Sequence, residues 1–215
     1  MRLALFPLAV VLLPGTPMPL HIFEPRYRRM LADALAGPRE FGLVYLPPGV
    51  REGELASGWP LCLAHVDEHE PLEDGRSNIV VRGTRRLALD HFVDDEAPYP
   101  VGLVRELPDA TVLAEALVPR AAQARALFGR VAAAARTLAD DTAPPPALPD
   151  DDTLLAYAIA AAVDLDLAAK HRLLATRDAA ERLSQVVALL TPVATDIERR
   201  AAVHGRARTN GHGPH

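Results

Sequence analysis

The sequence predicts an α+β protein: a small β-barrel or folded-over sheet carrying one helix, followed by an α-helical bundle. Three observations lead there. Up to residue 110 the apolar residues come in short runs punctuated by Gly and Pro, the pattern of strands and turns. Beyond it they recur at helical spacing. Strands first and helices later is the order of an α+β chain or of two subdomains. The expected division is a β-rich subdomain at 1–110, a helical subdomain at 111–203 and a disordered tail at 204–215.

Residues 3–8 and 10–13 are apolar runs ended by Pro14-Gly15, and residues 19–23 form another extended stretch. A helix follows. Pro25 suits a first helical position because its missing N–H would have had no partner there. Tyr27, Met30, Leu31 and Leu35 then keep helical spacing up to the stop at Gly37-Pro38. Phe23 and Tyr27 are expected in the core. Strands resume at 41–46, 60–66, 79–81, 84–89 and 99–107, separated by turn signals at Pro47-Pro48-Gly49 and Asp74-Gly75. In 84–89, Arg86 and Ala88 alternate with Arg85, Leu87 and Leu89, which predicts a half-buried strand.

In the second half, Leu127, Val131, Ala134 and Leu138 place a helix over 120–138. Residues 140–152 are a Pro- and Asp-rich loop. Residues 153–163 are apolar enough for a helix buried on most sides. Asp166 caps a short helix at 167–175. Asp178 and Glu181 have capping-box spacing at the start of a long helix, with an apolar stripe of Leu183, Val186, Val187 and Leu190. Pro192 is expected to kink or end that helix.

Composition narrows the function classes. The chain has 215 residues, 49% of them apolar, enough for a substantial core. Its net charge of -5 counts against nucleic-acid binding, where clustered positive charge supplies most of the affinity. The single cysteine, Cys62, permits no internal disulfide, which fits a reducing compartment. Arg2 and the apolar residues to Leu13 imitate a signal peptide. Pro7 interrupts the run, however, and no A-x-A-like site follows, so a soluble cytoplasmic protein without a membrane span is expected.

Catalytic signatures are missing from these residues. A phosphate-binding loop G-x-x-x-x-G-K-[ST] is absent, since the sole lysine is Lys170, between Ala169 and His171. The serines are Ser57, Ser77 and Ser184, and a Ser184–Lys170 dyad on neighbouring helices is a remote alternative. His65-Val66-Asp67-Glu68-His69 matches H-x-x-E-H, which binds zinc when both histidines lie one turn apart on a helix. On a strand, residues four apart share a face but lie about 13 Å apart, too far for one ion. No metal and no cofactor are expected.

Phe6-Pro7-Leu8, Leu13-Pro14-Gly15 and above all Pro19-Leu20-His21-Ile22-Phe23-Glu24-Pro25-Arg26-Tyr27-Arg28 resemble the N-terminal, substrate-binding domain of Lon proteases. Met30-Leu31, Phe41-Gly42-Leu43-Val44, Leu72, Asp74-Gly75-Arg76 and Gly83 with Arg85-Arg86 continue the likeness. So, more loosely, do residues 169–174 and Glu181-Arg182-Leu183. Two departures stand out: Leu61-Cys62-Leu63 lacks a small glycine-containing turn, and Leu87 replaces an aromatic residue. The resemblance implies a PUA-like β subdomain joined to a helical bundle. In full-length Lon this region recognises protein substrates and helps assembly, while other domains hydrolyse ATP and cut. The expectation is therefore a free-standing, non-catalytic module for unfolded or extended protein segments, with homo-oligomers conceivable. RNA binding by a PUA-like fold and a hidden peptidase are the alternatives.

For candidate site residues, Glu24 and Arg26 flank the helix start, Arg26 facing either Glu24 or Asp74, with Tyr27 beside them. Asp74-Gly75-Arg76 forms a tight turn. Two readings are open for Glu24, Arg26, Tyr27, Asp74 and Arg76: a polar network fixing helix on sheet, or direct ligand contact.

Overall fold

The computed structural model describes residues 1–210, with side chains to His204. The chain divides into two compact units. One comprises Met1–Ala110 with Val163–Arg177, the other Thr111–Ala162 with the described part of Asp178–His215.

The first unit is built on a six-stranded sheet: β1 (Arg2–Leu8), β2 (Pro17–Ile22), β3 (Glu40–Tyr45), β4 (Trp59–Pro71), β5 (Ser77–Val93) and β6 (Val101–Glu106). The spatial order is β2-β5-β4-β3-β1-β6, and β6 pairs with β5 as well as β1. That second pairing closes β1, β3, β4, β5 and β6 into a small barrel. Its interior is filled by Leu3, Leu5, Val44, Leu61, Leu63, Leu87, Leu89 and Val104.

Two strands outrun the barrel. The part of β5 from Ser77 to Arg82 pairs with β2 on one side and with the end of β4 on the other, forming a three-stranded arm. The expected strands 79–81 and 84–89 are thus one continuous strand. Gly83 marks the passage from arm to barrel. The segment after Leu13 crosses β5 there, Gly15 N–H donating to the Gly83 carbonyl at 2.8 Å and Gly83 N–H to the Thr16 carbonyl at 3.0 Å. A Cβ on Gly83 would sit 2.9 Å from Cys62 Sγ and closer still to the Leu13 carbonyl oxygen. Cys62 is fully buried, and burial pushes its thiol up to about 12, which leaves it inert.

Helix α1 (Pro25–Leu35) starts at Pro25 as expected and buries Tyr27, Met30, Leu31 and Ala34. The Tyr27 ring packs 4.3 Å from that of Phe6, which in turn meets Phe41 edge-on at 5.9 Å. Phe23 departs from expectation: it is 58% exposed rather than in the core.

The remaining helices are α2 (Ala114–Ala139), α3 (Asp152–Ala162), α4 (Leu167–Ala175) and α5 (Ala179–Asn210). Asp166 caps α4 through Ala169 N–H at 2.7 Å, and Asp178 accepts from Ala180 and Glu181 N–H at the start of α5. The sequence placed α4 in the helical subdomain, but it belongs to the barrel unit. Its docking residue is Arg86 of β5, whose side chain is only 4% exposed. The Arg86 guanidinium donates to the carbonyls of Leu174 and Thr176 at 3.1 and 2.7 Å and pairs with Asp109. A cation at a helix C-terminus satisfies carbonyls that have no intrahelical partner. The strand is buried on both faces from Arg86 to Leu89, so the expected half-buried alternation fails there.

In the second unit, α2 begins six residues before the expected start and carries Pro119 within it. α5 likewise runs through Pro192. Thr191 and Thr195 hydroxyls bond back to the Val187 and Thr191 carbonyls beside that proline. The expected tail from His204 gives way to helix through Asn210, and 211–215 lie outside the described residues. Arg182, fully buried, donates to the Thr153 carbonyl at 3.0 Å and lies 4.7 Å above the Tyr157 ring. Arg125 reaches Asp152 at 2.9 Å, and Arg130 grips Glu198 with two bonds of 2.7 and 2.8 Å. No described helix is long and apolar enough to cross a membrane.

His171 of α4 gives the barrel unit an acid-sensitive point. Its ring lies 4.6 Å from that of Trp59 and 5.1 Å from that of Tyr45, and its Nε2 is buried without a hydrogen-bond partner. Burial lowers its pKa from the ordinary 6.5, partly offset by the Pro60 carbonyl. As pH falls below about 6.5 the unfolded chain takes up the proton first. The contribution of neutral His171 is therefore complete above that value and lost as pH falls toward the depressed folded pKa. Thermal melts across this range are expected to show a falling midpoint on the acid side, and His171→Phe to flatten that slope.

Candidate functional site

The predicted site residues do not form one cluster. Arg26 Nε donates to Glu24 at 3.1 Å, and its other nitrogens reach Glu52 at 3.2 and 3.4 Å. Its guanidinium lies 4.4 Å over the Tyr27 ring. Tyr27 O–H also donates to Glu52, at 3.3 Å, and burial followed by the Glu52 charge pushes the phenol well above its ordinary range. Glu52 belongs to the short 3-10 helix Glu52–Glu54, so this network ties the first turn of α1 to that segment. Arg26 pairs with Glu24 and Glu52, not with Asp74. Tyr27 is 3% exposed, too enclosed to meet a partner molecule.

Asp74 and Arg76 pair with each other across the turn at 2.6 Å. The Arg76 side-chain bond, then the backbone N–H of Arg76, holds the Asp74 carboxyl below its usual range. Gly75 between them has φ +79, and a Cβ there would collide with the guanidinium of Arg28. The turn thus joins β4 to β5 at the tip of the arm.

The arm offers what the sequence reading missed. Residues paired across an antiparallel sheet share a face. The register pairs Pro17 with Arg82, Pro19 with Val80 and His21 with Asn78 on one side of β5. On the other side it pairs Val80 with Glu68 and Asn78 with Glu70. One face of the arm therefore carries the rows Pro19-Val80-Glu68 and His21-Asn78-Glu70. Pro17, Pro19 and His21 along β2, and Phe23 just past its end, are all exposed. The rings of His21 and Phe23 stack at 6.0 Å. His21 Nδ1 lies 2.8 Å from Asn78 Oδ1, and Asn78 Nδ2 donates to Glu70 at 3.0 Å. Over this part of the arm runs an open groove of about 460 Å³ between β2 and β4, lined by Pro19, His21, Glu68, Glu70, Asn78 and Val80 among others. Sequence alternation hid this face because neither set in β2 is charged: Pro17, Pro19 and His21 on one side and Met18, Leu20 and Ile22 on the other.

The edges of the arm are closed to further strands. β2 ends the sheet order, and its two prolines have the same parity. A proline in a paired strand sits with its nitrogen away from its neighbour, so the outer edge of β2 lacks donors at both positions. The free edge of β4 carries Asp67, Glu68, Glu70 and Pro71, which also disfavour pairing.

A register shift between Val66 and Glu68 leaves Asp67 as the extra residue of a bulge, paired with Arg82 at 2.6 Å. It puts His65 opposite Arg82 but His69 opposite Ile79, on opposite faces of the arm. The expected shared face of the H-x-x-E-H pair is thereby corrected, and the two histidines cannot meet at one ion. Among the described residues no group of three or more metal-ligating side chains comes together. Ser184 Oγ donates to the Ala180 carbonyl at 3.0 Å and accepts from Arg120 at 3.1 Å, an arrangement without a general base.

Residues 2–192 match the family described as the ATP-dependent protease La (LON) substrate-binding domain. The Lon protease of Roseiflexus castenholzii is 29% identical over 182 residues, 84% of this chain; the chain spans 23% of that relative's length. In fold, the chain is similar to the crystal structure of a Lon N-terminal domain protein from Xanthomonas campestris, with TM-score 0.61 and 24% identity. That match covers 87% of this chain and 98% of the other. It is also similar to the N-terminal domain of a Mycobacterium avium complex Lon protease, with TM-score 0.66 and 20% identity, covering 91% and 99%.

If the prolines guard the edge of β2, replacing Pro17 and Pro19 by Thr restores two outward donors. Self-association or precipitation is expected to rise in the double variant, as light scattering measures. A variant as monodisperse as the parent would contradict this account of the edge.

Proposed function

Since the chain belongs to the family of Lon substrate-binding domains, we propose that it binds extended or unfolded protein segments and contributes recognition rather than catalysis. The carrying observation is the exposed row of Pro17, Pro19, His21 and Phe23 beside half-buried Val80, a face that nothing in its own unit covers. Apolar and aromatic side chains held outward on rigid strands cost free energy in water, which a partner's side chains recover on docking. With both strand edges closed, the partner lies over the face rather than joining the sheet as a strand.

Glu24, Arg26 and Tyr27 then act as positioning residues. They fix the start of α1, immediately after Phe23, and so set the angle at which Phe23 is offered. Asp74 and Arg76 shape the turn at the arm's tip. The site is proposed to work in the cytoplasm without cofactor or metal. Five carboxylates against two arginines between His65 and Arg82 count against nucleic acid as the partner.

Phe23→Ala tests the reading. Because the ring is exposed, the thermal midpoint is expected to stay within a degree or two of the parent, about the effect of an ordinary surface change. Affinity for a labelled, permanently unfolded polypeptide, read by fluorescence anisotropy, is expected to fall by roughly tenfold, the loss of one aromatic anchor. Unchanged affinity would remove Phe23 and this face from the binding site.

A further inference from the structure

We infer that the groove of the arm selects cationic segments: extended runs in which an apolar or aromatic residue is flanked by Lys or Arg. This rests on the binding reading above and adds the chemistry of the partner.

The two long sides of the groove differ in character. Along β2 stand Pro19 and His21, with Phe23 just past its end; along β4 stand Glu68 and Glu70, in register with Pro19 and His21 across β5. Two strand spacings of about 4.8 Å separate β2 from β4, so a chain lying over β5 can place an apolar side chain on one and a basic side chain on the other. The carboxylates on β4 are not neutralised from within. Arg82 is taken by the bulge residue Asp67 at 2.6 Å, and Arg76 by Asp74 at 2.6 Å. Glu68 has no ion pair among the described residues. Glu70 accepts one hydrogen bond, from the neutral amide of Asn78. Both glutamates are exposed. An acidic segment meets repulsion here, a neutral one gains only apolar contact, and a basic one gains both contacts. This is how a charged rim confers specificity on an otherwise permissive apolar site.

The test uses the whole chain and three labelled peptides that share one apolar centre and differ in flanks of Lys, Gln or Glu. Anisotropy titrations at low salt are expected to rank them Lys, then Gln, then Glu, with roughly fivefold between neighbours for two exposed charges. The spread is expected to narrow at high salt, where exposed charges are screened. The double variant Glu68→Gln/Glu70→Gln removes both charges, yet its new amide oxygen opposite Asn78 can still accept the hydrogen bond. In it the ranking is expected to collapse toward the value of the Gln-flanked peptide. A thermal melt matching the parent shows that this exposed pair has been changed without unfolding the arm. Equal affinities for the three peptides, a preference for Glu flanks, or a ranking that survives in the double variant would each overturn the inference. If the Gln-flanked peptide still binds and Phe23→Ala still weakens it, the binding role stands while charge selection falls. If no peptide binds at all, both fall.

Discussion

The barrel unit depends on one close approach, the crossing of the Leu13–Thr16 segment over β5 at Gly83. Two backbones meet there with Cys62 Sγ beside them and no room for a side chain. The crossing lets a single 17-residue strand serve two purposes. Beyond Gly83, β5 closes the barrel with β6; before it, β5 carries β2 and the arm. Even one added methyl would force the Leu13 carbonyl off the strand, a distortion of the kind that costs about 1–3 kcal/mol in a packed interior. The geometry most at risk would be that of β2, the strand that bears the exposed row.

Around this crossing the unit is held by polar groups that are fully used. Arg86 is deeply buried, and a buried guanidinium without partners would be strongly destabilising. Its partners are the end carbonyls of α4 and Asp109, so burial of the charge and docking of the helix are one event. The Glu24-Arg26-Glu52 network and the Arg76–Asp74 turn fix the beginning of α1 and the tip of the arm in the same manner. On the surface are left an aromatic and proline row, and two carboxylates opposite it. The chemistry that the scaffold does not consume is the chemistry available to a partner.

Much of this could be read from the residues where the signal is local. Pro25 and Gly37 bracket α1, Asp166 caps α4 and Asp178 caps α5, because each acts within a turn of its own position. The ten-residue run from Pro19 to Arg28 identified the family for the same reason. Features set by tertiary pairing were hidden. The bulge at Asp67 reverses the face of His69, and only the partner strand reveals it. Phe23 looks like core by type, yet just past the end of β2 it stands in solvent. Pro192 reads as a kink or an end, but α5 runs through it. α4 reads as part of a helical run, and its membership of the barrel unit is decided by Arg86, a residue whose charge suggests solvent. The exposed face of the arm was illegible because β2 is uncharged on both sides, so no alternation distinguishes the covered side from the free one.

The arm face is the proposed place of polypeptide recognition. The most direct measurement is residue-resolved amide chemical-shift mapping of the isotopically labelled chain during titration with a permanently unfolded protein. Shifts and broadening concentrated at residues 18–23, 67–70 and 78–82, with the interior strands of the barrel quiet, are the predicted result. Perturbations confined to other surfaces, or none at saturating concentrations, would contradict it.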